Sequence, residues 1–233
     1  FLGPLAERLE TLHVARATQF SEYTYEVDAN WKLTYDNFQE NYHLRFIHPR
    51  SGAAAGGPEN PFGYPEKYGF HGPHRTQKIW SNPAPAIKPC QGLAFGIAVQ
   101  SMMADSTADF TKGSEYYALF PNFFILGSLM TPFSHCVMPL GAGKSRGVIR
   151  LYWVGPDDSA SKRFAREFQM ATALDVHAED RAVIEAGQRG LNSGALEYIH
   201  FMSQEVLCRH SFHAVNNMVE SYKAERNAAG GAV

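Results

Sequence analysis

The period of hydrophobic and polar positions changes several times along the chain, and each change marks an element. Between Phe20 and Val27, the residues Phe20, Glu22, Tyr23 and Tyr25 suit a strand. Asn30 can then cap a helix that begins at Trp31, with Trp31, Leu33, Tyr35 and Phe38 as its packing residues. Pro49 disfavours helical backbone at His48, so this helix is expected to run past Glu40 and end between Leu44 and His48. Residues 51–61 (S-G-A-A-A-G-G-P-E-N-P) offer little to bury and read as a mobile loop; Trp80 to Lys88 is a Pro-rich connection. Gln91 to Gln100, Glu115 to Leu129, Cys136 to Leu140 and Gly147 to Val154 are rich in apolar and aromatic residues and read as β-rich runs. Alternation would turn Phe120, Asn122, Phe124 and Leu126 into a cavity. The sheet should end at residues 155–159, before a helix from about Ala160 through Gln188 and a terminal amphipathic helix from Ser203 to Tyr222. Phe1 to Glu10 reads as a short helix or connector, and the tail from Asn227 to Val233 as disordered in character. The pattern is that of an α+β fold, a curved antiparallel sheet wrapped round long helices and enclosing a pocket, with residues 1–233 as one domain.

Charge narrows the function. A formal net charge of −2 without basic runs argues against nucleic acid or an anionic membrane as partner. No apolar stretch approaches the roughly 20 residues of a membrane span, and no signal peptide is seen. Three cysteines, Cys90, Cys136 and Cys208, are widely spaced and odd in number, and read as reduced thiols of a cytoplasmic protein. Gly141-Ala142-Gly143-Lys144-Ser145 mimics the end of a phosphate-binding loop, but Met138 stands where that loop needs its first glycine. The segment joins two expected strands, so a hairpin turn fits better.

The candidate chemistry lies in Asp36-Asn37-Phe38-Gln39-Glu40-Asn41-Tyr42-His43-Leu44-Arg45-Phe46-Ile47-His48-Pro49. Two histidines and a carboxylate with open positions suit non-haem Fe(II). Glu40 and His43, three apart, would share a helix face. His48 is five beyond His43 and can aim at the same point only if the helix has stopped. On the long later helix, Ala173, Val176, Val183, Ile184 and Gly187 fall within about 60° of Asp180, whereas Glu179, Arg181, Glu185 and Arg189 fall about 100° or more away. Asp180 is thus in the buried stripe, where a carboxylate must be paired, protonated or bound to a metal, and His177 is one possible partner. The plainer reading is a helix end with two ordinary histidines and a capping Asp. His71 and His74 read as surface or substrate-channel histidines, His210 and His213 as core histidines, and His13 receives no role.

Asn30-Trp31-Lys32, Asp36-Asn37, Glu40, His43 and His48-Pro49, with Glu179-Asp180 further on, closely resemble the iron-binding segments of Rieske-type non-haem iron oxygenases, in the α-subunit catalytic domain. The resemblance implies a helix-grip (START-like) fold and Fe(II) held by His43, His48 and Asp180. It implies that Glu40 bridges electron entry and lies at or near the surface, with Asn37 and Tyr42 supporting the iron. It implies hydroxylation of an aromatic or related small organic substrate with O2. Electrons would come from the [2Fe–2S] cluster of a Rieske domain on a neighbouring subunit, fed by a ferredoxin or reductase, in a homotrimer or an α3β3 assembly. That cluster needs a C-x-H and a C-x2-H pair, both expected to be missing here, so the chain is expected to be a catalytic domain separated from its Rieske half. Two rivals compete: a START-like binding module without metal, and a zinc hydrolase with Glu40 as base. A hydrolase helix spaces its histidines by four, which disfavours the second.

Overall fold

The computed structural model describes residues 1–48, 56–104, 114–128, 132–156 and 158–228. Pro49, residues 51–55 of the expected mobile loop and the last residues of the tail lie outside the described residues.

One antiparallel sheet organises the chain. Its strands are β1 (Gln19–Val27), β2 (Lys67–His71), β3 (His74–Lys78), β4 (Glu115–Leu119), β5 (Phe123–Gly127), β6 (Phe133–Gly141) and β7 (Lys144–Trp153). They lie in the order β1-β7-β6-β5-β4-β3-β2. The expected first strand is present as β1, paired with β7 from Gln19↔Trp153 to Val27↔Ser145. Its alternation puts Tyr25 and Val27 into a core with Ile149, Leu151 and Ile184. The other face carries exposed ion pairs such as Glu22 with Arg150, which contribute little to stability. Where Tyr25 crosses β7 the partner is Gly147, and a Cβ there would meet the phenol ring at about 2.1 Å. Only glycine allows that crossing.

The glycine-rich segment 141–145 is the expected hairpin turn, with Gly141 opposite Lys144. Its polar groups brace the next element: Asn30 Nδ2 donates to the Ala142 carbonyl at 2.7 Å, and Ser145 Oγ donates to Ala29 O at 3.0 Å. Asn30 also caps α2 (Trp31–Asp36) by accepting from the Lys32 N–H at 3.0 Å, as the sequence predicts.

The helices are α1 (Leu5–Glu10), α2, α3 (Leu44–Ile47), α4 (Pro89–Met103), α5 (Ala160–Asn192) and α6 (Val206–Ala228). Residues 91–100 therefore form a helix and not the expected strand. Pro89 opens it at the one place a helix tolerates proline. Ala94, Ala98 and Met102 give the helix its buried face, and it packs on α5. The remaining faces are also apolar, which hid the helical period. The hairpin β2–β3, turned by Gly72 at φ 60°, is a further element the sequence reading missed.

The helix from Trp31 also stops early, at Asp36, well before Glu40. Polar side chains compete with helical hydrogen bonds there. Gln39 Nε2 donates to Asp36 Oδ1 at 2.7 Å, and Glu40 accepts from the peptide N–H groups of Tyr42 and His43. The backbone turns through 37–43, and one turn of helix, α3, separates His43 from His48. Gln39 is held in turn by Arg75, fully buried on β3, whose guanidinium also donates to Ser211 on α6 at 3.0 Å. Apart from Leu207, Cys208 and Ser211, α6 is largely exposed. His213 is exposed rather than core, and His210 stacks on Phe70 at 4.5 Å.

Candidate metal centre

Three ligating side chains meet where the turn 37–48 faces the middle of α5. One donor atom each from His43, His48 and Asp180 can be chosen so that all three lie within 4.8 Å of one another. Asp180 Oδ1 is 2.7 Å from His48 Nε2 and 3.5 Å from His43 Nε2. Asp180 is 2% exposed, and among the described residues its hydrogen-bond and ion-pair partners are these two imidazoles. His177 does not pair with it. The early end of α2 makes this possible, since His43 precedes α3 and His48 follows it.

Each imidazole is gripped from behind. His43 Nδ1 hydrogen-bonds to Glu40 Oε1. Glu40 Oε2 is occupied by the Tyr42 and His43 N–H groups, so neither carboxylate oxygen is free. His48 Nδ1 lies 2.7 Å from Glu179 Oε2. With an ion in place such carboxylates would fix the tautomer, keeping the proton on Nδ1 and the Nε2 lone pair toward the shared centre; without one, His48 Nε2 hydrogen-bonds to Asp180. Burial lowers the pKa of His48, but the carboxylates of Asp180 and Glu179 outweigh it, so the net shift is upward.

Glu40 is beside His43 as expected, but it is only 9% exposed and not on the surface. Asn37 and Glu40 both line the cavity described below, and Asn37 Nδ2 is buried without a hydrogen-bond partner. The ring of Tyr42 packs on Phe46 and Phe62 instead, so only its peptide N–H reaches the site. The sequence reading gave Glu179 no part because it is off the buried stripe; its side chain is long enough to reach back.

The ligand set closes one end of a cavity of about 330 Å³. Leu126, Phe133, Ile149 and Leu151 from the sheet, Phe95 from α4, and Gln169, Ala173 and Val176 from α5 contribute to its wall. Of the four residues expected there by alternation, only Leu126 lines it. Phe124 is instead packed between Tyr35 and Phe38, at 5.6 and 5.5 Å. His74 is neither a surface nor a channel residue: it is 1% exposed, hydrogen-bonded to Phe1 O and to the Phe120 N–H.

Tyr25 Oη and His135 Nε2 share a hydrogen bond at 2.6 Å, and the ring of His177, on the cavity wall, is centred 3.8 Å from that of Tyr25. Burial, helped by neighbouring His177, pushes the pKa of His135 down to about 3. Burial also lowers that of His177 to about 4, against the pull of Asp180. His135 is thus neutral when folded but binds a proton near pH 6.5 when unfolded. Its contribution is present above pH 6.5 and is lost as pH falls toward 3. His135→Gln keeps a hydrogen-bond partner for Tyr25 and does not titrate. Wild type should lose roughly 2–3 kcal/mol more than this variant between about pH 6.5 and 4.5, read from urea midpoints. Parallel pH curves would show that His135 titrates alike in both states.

One half of the cluster motif expected to be missing is in fact spelled by Cys208-Arg209-His210. Cys208 is buried and donates to Asp36 O at 3.6 Å, His210 stacks on Phe70, and no C-x2-H accompanies them. The cluster needs both pairs.

Residues 14–221 match the family described as the ring hydroxylating alpha subunit, catalytic domain. A comparison with curated protein sequences finds no significant match. Among solved structures, a quaternary ammonium Rieske monooxygenase reported for carnitine oxidation by gut microbiota superposes with a TM-score of 0.64 at 17% identity, over 92% of this chain and 54% of that one. Dicamba monooxygenase bound to dicamba gives 0.58 at 15% identity, over 89% and 60%. The Pseudomonas putida CBB5 NdmA mutant with caffeine gives 0.57 at 16%, over 88% and 52%. The chain spans about half the length of the first of these.

Proposed function

The chain belongs to the catalytic-domain family of ring-hydroxylating alpha subunits, and we propose that it holds one mononuclear non-haem iron on His43, His48 and Asp180 and oxygenates a small organic substrate. The observation that carries this reading is the convergence of two imidazole nitrogens and a buried carboxylate at the end of an apolar cavity. Donors on one face of a metal with bonds near 2.1 Å lie about 3 Å apart. The gaps of 2.7 and 3.5 Å to Asp180 bracket that value, and the set is the two-histidine, one-carboxylate type that suits Fe(II).

Iron bound there would supply the redox centre for activating O2. The chain's own residues do the rest. Glu40 and Glu179 hold the Nδ1 protons of His43 and His48. Asp180 offers the negative charge that a divalent ion needs at a site otherwise made of neutral groups. Apolar side chains of the sheet and α4 would contact the substrate. Electrons would come from a Rieske cluster on a neighbouring subunit of a trimer or α3β3 assembly, supplied by a ferredoxin or reductase. Glu40 would relay them to His43, the iron ligand that it holds. A hydrolytic role for Glu40 is disfavoured, because a hydrolase helix spaces its two histidines by four and His43 and His48 are five apart.

The first test is metal content. Anaerobic loading should leave one Fe(II) per chain, and a chain that retains none would refute the reading. Glu179→Ala, at a partly exposed position, should weaken Co(II) binding about 10–100-fold by releasing His48. Glu40→Gln should do at least as much, since its amide NH2 would oppose either the Nδ1 proton of His43 or the N–H groups of Tyr42 and His43. Unchanged Co(II) titrations in both variants would mean that neither carboxylate orients its imidazole.

A further inference from the structure

We propose that Gln169 anchors the polar end of an uncharged, otherwise apolar substrate and thereby sets which of its atoms lies at the His43–His48–Asp180 centre; this rests on the function proposed above. Gln169, Ala173, Val176 and Asp180 follow one another at helical spacing on α5, and all four line the cavity. Gln169 is eleven residues before Asp180, about 16 Å along the helix axis. Along α5 the metal-ligand end of the cavity and Gln169 are therefore at opposite ends, with small and branched apolar side chains between.

The amide of Gln169 has no partner. The residue is 3% exposed, and neither its Oε1 nor its Nε2 makes a hydrogen bond. A buried amide that bonds to nothing destabilises a protein, so a well-packed wall would carry leucine or methionine there. Its place on the wall of a cavity of about 330 Å³ gives it a use. A ligand that donates to Oε1 and accepts from Nε2 satisfies both atoms at once; a carboxamide, a lactam or another amide-like group does this in one plane.

Charge sets the rest of the class. No lysine or arginine is among the described lining residues, and the lining carboxylates Glu40 and Asp180 are both engaged. A ligand carboxylate would be buried without a counter-charge, which is costly. His177 also lines the cavity, and its Nε2 has no partner. It is one turn from Asp180 and about 12 Å along the axis from Gln169, so it belongs to the reacting end and is not a second grip on the same group.

The test uses the full chain and three probes of matched shape: biphenyl-4-carboxamide, biphenyl-4-carboxylate and 4-methylbiphenyl. Binding is measured by calorimetry on metal-free protein, with Co(II) titrated separately into each sample. Wild type should bind the carboxamide about tenfold or more tightly than either other probe. Gln169→Leu should lose that preference, gain affinity for 4-methylbiphenyl, melt no lower than wild type and keep its Co(II) affinity. Gln169→Met carries the same test if the leucine variant does not fold. Equal affinities in wild type, tighter binding of the carboxylate, no saturable binding of any probe, or a preference that survives in the variants each overturns the anchor. Failure of Co(II) to bind while the preference holds instead refutes the iron reading and leaves the anchor in place.

Discussion

Asp180→Ala should abolish metal binding altogether, lowering affinity for Fe(II) or Co(II) by well over the 10–100-fold expected for a supporting carboxylate. In the proposed site Asp180 would be the only negative ligand, and without it two neutral imidazoles would compete poorly with water for a hard divalent ion. The variant should nonetheless fold. Removing one partner of a buried pair costs about 3–5 kcal/mol, but His48 keeps Glu179 at 2.7 Å. The variant's melting temperature should then fall below that of metal-free wild type while the far-UV circular dichroism at low temperature is unchanged. A variant that keeps one equivalent of tightly bound metal would show that the ligands lie elsewhere, and His43→Ala should repeat the result independently.

Oxygen consumption should be absent when the 233 residues alone are loaded with iron and supplied with NADH and a reductase. The sequence has a single C-x-H, at Cys208 and His210, and no C-x2-H, so it cannot assemble the two-cysteine, two-histidine cluster that would pass electrons inward. The loaded chain should also lack the visible absorption of an iron–sulfur centre. Joining a Rieske domain to it, as one polypeptide or from a neighbouring subunit, should raise turnover from background to many cycles per iron on the right substrate. Sustained turnover without that domain would place the chain's chemistry in another class of iron oxygenase.

Much of this was legible in the sequence for a physical reason. Asp180 stood out because a carboxylate in the buried stripe of a long helix is energetically conspicuous. β1 and the 141–145 turn were equally plain, since alternation and paired glycines have few other readings. Residues 91–100 were not legible, because a helix apolar on every face has no period to detect. The halt of α2 at Asp36 depends on Gln39 and Glu40 finding partners nearby and on Arg75, 36 residues beyond Gln39, arriving to hold it. No local propensity encodes that. Gln169 was within reach, since the stripe read back from Asp180 through Val176 and Ala173 arrives at it one turn later. Glu179 was missed because angular position on a helix says where a Cβ points, not where a long side chain ends.

The attachment of α5 to the corner before α2 has a consequence for how the ion and the fold depend on each other. Glu185 accepts from the Asp28 N–H at 3.3 Å and Gln188 from the Asn30 N–H at 2.8 Å, one to two turns beyond Asp180. His48 and Asp180 are 132 residues apart in sequence, and closing a loop of that length costs a free chain about 4 kcal/mol of entropy. Here β1–β7 pairing and these two clamps have already closed it. An ion bound at the proposed site would meet donors gathered in advance, so its binding energy would not be consumed in folding the chain, the reverse of a zinc finger. A chelator should accordingly empty this centre and leave a folded protein ready to be refilled.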